Sequence, residues 1–378
     1  MRQYTADNNR FIYNKVEDIN SELVQGINES AGIGNFSALV LAGGYGRGEG
    51  GIYKGDGGAH LYNDMEYYLF LAPGAKCSAR ELQRIHDYAD FLTDRHHIEI
   101  ELRVVGHEWL KNEPVSIFTY DLVTKSHVVH GPEDFLSGYT NHQDPALIPV
   151  SEAERLLYNR LSGILFSLEK LNKPVLTSED SDFIGRNIAK LKLAMGDACL
   201  TIFGNYHWSS IERNKALKVL FENWILFDSE TQEIVMQYHD EGLKFKLYPE
   251  TVSKQPAVWA EEIDRILEIA QPIWKWSQNE TQEQKAIRIR MGAHENMLNA
   301  IRERLKNVRY FGLTDTVNPY NRLSGRERLQ KCLWDLILRQ RYQWMEFQNS
   351  RIQKLLNLLP REDTSLVHRY QLLWSRLS

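Results

Sequence analysis

The sequence predicts an α+β domain over residues 1–148 followed by a mostly α-helical domain over 149–378. Three observations carry this. A short apolar run, Ala38–Leu41, ends in a double glycine, Gly43-Gly44, as a buried strand does. HIEIELRVV (97–105) alternates strictly, with Ile98, Ile100, Leu102 and Val104 on one face and Glu99, Glu101 and Arg103 on the other. After about residue 148 strand signals become scarce and amphipathic helical patterns recur.

Taken in order, Val16, Ile19, Leu23, Val24 and Ile27 have helical spacing and predict a helix over 16–32. The strand at 38–41 follows. Next comes a glycine-rich stretch, Gly43–Gly58, with nine glycines in sixteen residues. NDMEYYLFLA (63–72) reads as a second strand. Ser78 and Glu81 form a capping-box signature that opens a helix to about His96. The alternating strand is followed by a helix over about 114–125 and a short strand within SHVVHGPEDF (126–135). Ser151 and Glu154 give another capping box. Helices are expected at about 179–204, 208–227, 257–277, 280–308, 325–357 and 364–377, with LKFKLYP (243–249) as a candidate extended piece.

At 378 residues the chain has room for two or three domains. Its 45 Lys and Arg against 50 Asp and Glu leave a net charge of −5, which argues against bulk nucleic-acid binding through a basic surface. Nine Trp and eighteen Tyr suit helix–helix cores. Cys77, Cys199 and Cys332 lie far apart and form no Cys-x-x-Cys pair, so neither a disulfide framework nor a structural zinc site is expected. The first residues lack the apolar core of a signal peptide, and no apolar run approaches the roughly 20 residues of a membrane span. A cytoplasmic protein with no membrane partner is expected.

Three pieces of the first domain carry chemistry. In Gly43-Gly44-Tyr45-Gly46-Arg47-Gly48-Glu49, directly after a strand, glycines let backbone N–H groups approach an anion closely. In Asn63-Asp64-Met65-Glu66-Tyr67, Asp64 and Glu66 are two apart on a strand and project together. Paired carboxylates repel unless a cation lies between them, and carboxylates plus phosphate oxygens suit Mg²⁺. Glu99 or Glu101 on the later strand would add a third carboxylate, completing a two-metal site for in-line displacement. A dinucleotide-binding reading of Gly46, Gly48 and Gly51 fails, because the next element is a strand and not a helix. No Gly-Lys-Ser/Thr follows, which removes a Walker-type loop. The bland alternative for each acidic strand face is a solvated edge.

A strand ending in Gly-Gly, an acid-x-acid strand and a carboxylate on a later strand together resemble the polymerase-beta-like nucleotidyltransferase superfamily. GGYGRGE (43–49) is similar to the loop of bacterial PII uridylyltransferases, and SHVVHGPEDF to the strand-plus-glycine segment that closes the domain in bacterial members. The resemblance covers about residues 35–135. It implies a nucleotidyltransferase fold, a small mixed sheet with flanking helices, in front of a helical domain that helps shape an acceptor pocket. It also implies that Gly43 and Gly44, with Tyr45 alongside, hold nucleotide phosphates. Asp64 and Glu66 would ligate Mg²⁺. Glu101 or Glu99 would be the third carboxylate and proton acceptor. Arg47 is a candidate to neutralise phosphate charge. Two departures stand out: the connection Tyr45–Asn63 is longer than usual, its excess at roughly Gly50–Leu61 with Lys54, Asp56 and His60 reading as an inserted flexible loop, a lid over the nucleotide or plain surface, and Asn63 occupies a position that is often Ser.

The expected function is therefore transfer of a nucleoside monophosphate from an NTP, ATP or UTP undistinguished, to an acceptor, a small molecule or protein before a nucleic acid. The alternative is a catalytically degenerate nucleotide-binding or regulatory module of the same fold; an enzyme acting on nucleic-acid ends is a third reading, disfavoured by the net charge. In the helical half Arg186, Lys190, Lys192, His207 and Arg213 are candidates to face the cleft, against the reading of a core helix with a solvated basic stripe. Trp224, Trp274 and Trp276 are expected to pack helices, and the basic stretch His294–Arg309 to be a solvated face.

Overall fold

The computed structural model describes residues 2–31, 35–55, 57–250, 253–278, 305–312, 318–342, 346–358 and 365–377. The expected helix over 280–308 lies largely outside the described residues, as does Asp56. The fold is mixed, with a small sheet in the N-terminal part and a mostly helical C-terminal part. The chain forms two compact units: residues 1–153 with 192–250, and residues 154–191 with 251–378. The first continuous stretch thus ends near the expected boundary at 148, but 192–250 return to the first unit.

In the first unit, helix α1 (Arg10–Ala31) begins earlier than its apolar pattern predicted. Ile12, Val16, Ile19, Leu23 and Ile27 lie one turn apart and are all buried. Strand β1 (Phe36–Leu41) follows, then a single helical turn, α2 (Gly43–Gly46). The segment expected to be a flexible loop folds instead as an antiparallel hairpin, β2 (Ile52–Gly55) with β3 (Gly58–Leu61). Its registry is held from outside: the Tyr45 hydroxyl donates to the Gly51 carbonyl at 2.8 Å and accepts from the Tyr62 N–H at 2.8 Å. Strand β4 (Asp64–Leu71) leads to α3 (Ala79–His96), which opens with the anticipated capping box at Ser78 and Glu81. Strand β5 (Glu99–Val105), α4 (Trp109–Asn112), α5 (Ile117–Thr124) and β6 (His127–His130) complete the sheet region.

The sheet order is β5-β4-β1-β6. β1 runs antiparallel to both β4 and β6, whereas β4 and β5 are parallel. Period-2 alternation sends side chains to opposite faces. Leu39, Leu41, Met65, Tyr67, Ile100 and Leu102 pack into the core that holds α1 and α3. Val40, Tyr68, Phe70 and Val105 face a second core with Leu110, Leu122 and Val123. Asp64, Glu66, Glu99 and Glu101 share this second face, at the N-terminal ends of β4 and β5.

Helices α6 (Ser151–Leu171), α7 (Ser178–Ile202), α8 (Ser210–Asn223) and α9 (Ser229–Leu247) follow. LKFKLYP is a correction: 243–247 belong to α9, although Leu243, Phe245 and Leu247 alternate with lysines as in a strand. The helical period prevails because Val235, His239 and Gly242 bury one continuous helix face. In the second unit, helices run over Pro256–Gln278, Gly325–Tyr342, Glu346–Leu356 and Leu366–Leu377, and Arg328 is buried. Its Nε donates to the Leu355 carbonyl at 2.7 Å and its guanidinium lies 3.7 Å from the Phe311 ring centroid. Trp274 is buried there, whereas Trp224, at the end of α8, is largely exposed and meets the Phe203 ring at 5.4 Å.

Within the first unit Glu49 is 4% exposed, and its carboxylate is fully engaged. It accepts from Ser209 Oγ at 2.5 Å, from the Ser210 N–H at 2.9 Å and from Lys246 Nζ at 3.0 Å. Burial alone would raise its pKa, but Lys246, Ser209 and the α8 N-terminus outweigh burial and hold it at about 2. A depressed carboxylate pKa gives stability that is present above the ordinary value and lost as pH falls through the native one. Glu49→Gln should cost about 3 kcal/mol near pH 7, the order found when a buried charge loses its partner. In urea titrations, wild type and variant should converge between pH 4.5 and pH 2; a constant difference across that window would refute the assignment.

Candidate functional site

The site is built where β1 ends beside the start of β4. The Ala42 N–H donates to the Glu66 carbonyl at 2.8 Å, so the glycine turn leaves the sheet directly next to Glu66. The first i→i−4 bond of the turn runs from the Gly46 N–H to the Ala42 carbonyl. The N–H groups of Gly43, Gly44 and Tyr45 precede it and lie at the donor end of the turn. Gly43 has φ +63°, and a Cβ there would come within 2.7 Å of Glu66 Oε1. Gly46 admits no side chain, because a Cβ would lie 2.2 Å from the Leu41 carbonyl oxygen. Both glycines follow from the sharpness of the strand-to-turn reversal.

The parallel register pairs Asp64 with Glu99 and Glu66 with Glu101. In-register residues of parallel strands share a face, so the acidic residues form two adjacent rows. Glu66 lies at the centre. Burial first, then the charges of Asp64, Glu101 and Asp121, drive its pKa up to about 7, against the opposing pull of Arg47. Glu101 is thus the later-strand carboxylate felt at the centre, while Glu99 sits beside Asp64; both are exposed. Asn63, which precedes the pair, has φ +72°, a conformation that asparagine tolerates, and its side-chain amide donates to Asp64 Oδ1.

Among the described residues, no three His, Cys, Asp or Glu side chains are gathered into a closed ligand set. The donor chemistry nevertheless fits a hard cation. Glu66 makes no ion pair with a basic side chain among the described residues, and burial together with three carboxylates, Asp64, Glu101 and Asp121, raises its pKa. Asp64, Glu66 and Glu101 would be the residues to hold a magnesium ion, whose charge would relieve that repulsion.

The candidate cations are distributed differently. Arg47 is half-buried and bonds Asp121 Oδ2 through Nη1 at 3.0 Å, so its guanidinium is committed to α5 and acts on Glu66 through its field. Lys54 lies on the hairpin, 5.9 Å from the Tyr248 ring centroid. Lys192 bonds Glu241 at 2.7 Å. Arg186 lies 3.8 Å from Asp182, one turn away. Arg213 is buried against Asp197 at 2.6 Å and donates to the carbonyls of His207 and Trp208. His207 accepts the Ser209 N–H at 3.1 Å. His239 bonds Asp197 at 3.0 Å and accepts from Asn214. Arg213, Asp197, His239 and Asn214 form a buried polar network, and Arg47 with Asp121 a second buried pair in the same unit; Asp121 and Asp197 carried no motif in the sequence.

Comparison with family models, curated proteins and solved structures finds no match to this chain.

Two measurements check the site. With divalent cations removed, the native state binds the Glu66 proton more tightly than the unfolded chain does, so stability falls as pH rises from 4.5 to about 7. Glu66→Gln should therefore stabilise the protein by roughly 1 to 2 kcal/mol at pH 8, after allowance for solvent screening, and by nothing below pH 4.5. A gain independent of pH would contradict the acidic convergence. Gly43→Ala should lower the melting temperature more than Gly74→Ala, which has a similar φ of +74° but open space around it. The left-handed backbone alone costs about 1 kcal/mol; equal losses would mean that Gly43 is not pressed against Glu66.

Proposed function

We propose that this chain is a nucleotidyltransferase that moves a nucleoside monophosphate from an NTP to a hydroxyl acceptor. The observation that carries the reading is Glu66 flanked by Asp64 and Glu101 beneath the Gly43–Gly46 turn. What supports the reading is that β1 is followed by the double glycine, β4 begins with Asp64 and Glu66, and Glu101 on β5 lies in parallel register with Glu66.

In this reading the N–H groups of Gly43, Gly44 and Tyr45 receive the phosphates, and Asp64, Glu66 and Glu101 hold magnesium. The ion supplies charge that stabilises the attacking and leaving oxygens of the displacement. The acceptor oxygen forms a bond to the α-phosphorus while the bond from that phosphorus to the bridging oxygen breaks. Pyrophosphate departs with the electron pair, and the hydroxyl proton passes to a carboxylate of the site, for which Glu101 is the candidate. Positioning supplies much of the remaining acceleration.

Asp64→Asn should abolish magnesium-dependent NTP binding in calorimetry and lower pyrophosphate release by about 100-fold or more, the scale of several kcal/mol of metal-borne stabilisation. Equal turnover by the variant would sink the assignment. Tight magnesium-dependent binding by the wild type without pyrophosphate release over many acceptors would instead favour an inert nucleotide-binding module.

A further inference from the structure

Arg103 is the third residue of the polar row on β5, two positions past Glu101 and about 6.6 Å along the strand. It is exposed, and it pairs in register with Tyr68, which is two residues past Glu66 on the same face. Its guanidinium lies 5.3 Å from the Trp109 ring centroid and hydrogen-bonds the Tyr68 side chain. Tyr68 and Trp109 stack, with centroids 5.6 Å apart and an interplanar angle of 6°. Trp109 is fixed in turn by its indole N–H, which donates to Glu113 Oε1 at 2.6 Å. The guanidinium is thus oriented by an aromatic plate.

A planar guanidinium held on an aromatic face, with outward donors, is suited to two-point recognition of a carboxylate or phosphate. Its place in the sheet says which anion. The order β5-β4-β1 puts the glycine turn, which continues β1, on one side of the acidic pair and Arg103 on the other. A triphosphate gripped at the turn therefore leaves the β5 side for the second substrate.

We propose that Arg103 anchors an anionic substituent, a carboxylate or phosphate, carried by the acceptor beside its reacting hydroxyl. This rests on the transferase reading, which supplies the second substrate. The test is calorimetric titration of the full chain with inorganic phosphate, and separately with acetate, in the presence of saturating magnesium and a non-hydrolysable NTP analogue. Binding of at least one anion should persist with the analogue bound, weaken at least 10-fold in Arg103→Gln, and be partly retained in Arg103→Lys, which keeps the charge but not the planar fork. The stronger of the two anions identifies the substituent. Circular dichroism checks that the variants fold. Binding unchanged in Arg103→Gln, absent for both anions, or displaced by the analogue would overturn the proposal while leaving the transferase reading intact. Failure of the analogue to bind would remove the transferase reading, and the acceptor assignment with it, even if an anion still bound at Arg103.

Discussion

The buried carboxylate of Glu49 ties the glycine turn to helices far away in sequence. Its partners, Ser209, Ser210 and Lys246, lie about 160 to 197 residues along the chain. An ion drawn out of water pays a desolvation cost that only complete pairing offsets, and here the donor end of α8 and one ammonium provide it. Arg47, two residues earlier, is fixed by Asp121 on α5. The turn that presents the N–H groups of Gly43 to Tyr45 is therefore braced from behind by groups on several elements. Removing any one would leave a charge stranded in the interior.

The front of the turn has the opposite electrostatics. Asp64, Glu66, Glu99 and Glu101 crowd onto one end of two parallel strands, while the guanidinium of Arg47 is spent on Asp121. Behind the turn, Arg213 is held by Asp197, and burial with the neighbouring Arg47 and Arg213 brings the Lys246 pKa down to about 8 despite Glu49. The fold thus keeps its positive charge in a satisfied interior and leaves a surplus of negative charge at the strand ends. Such an imbalance is expected where a cation arrives with a ligand, and it costs stability until it does.

Much of the site was legible in the sequence because its parts are locally encoded. The double glycine after an apolar run marks where the strand stops, and β1 ends at Leu41 just before the Gly43–Gly46 turn. The acid-x-acid spacing fixed a common face for Asp64 and Glu66, and strict alternation did the same for Glu99, Glu101 and Arg103. The insertion at 52–61 was not legible, since its ordering depends on the hydroxyl of Tyr45 bonding backbone on both sides of the hairpin. LKFKLYP misled for a related reason: a short alternating run fits either period, and the buried face of a nineteen-residue helix decided it.

The sequence by itself determined which residue types stand together along each strand and where the chain must turn, because side-chain alternation and glycine geometry act over a few residues. Only the tertiary structure decided that β4 and β5 run parallel with Glu66 opposite Glu101, that Arg47 faces Asp121, and that residues 192–250 return to the first unit. Strand register and buried ion pairs are settled by cooperative burial between segments distant in sequence, and a linear pattern carries no record of which distant segment a side chain will meet.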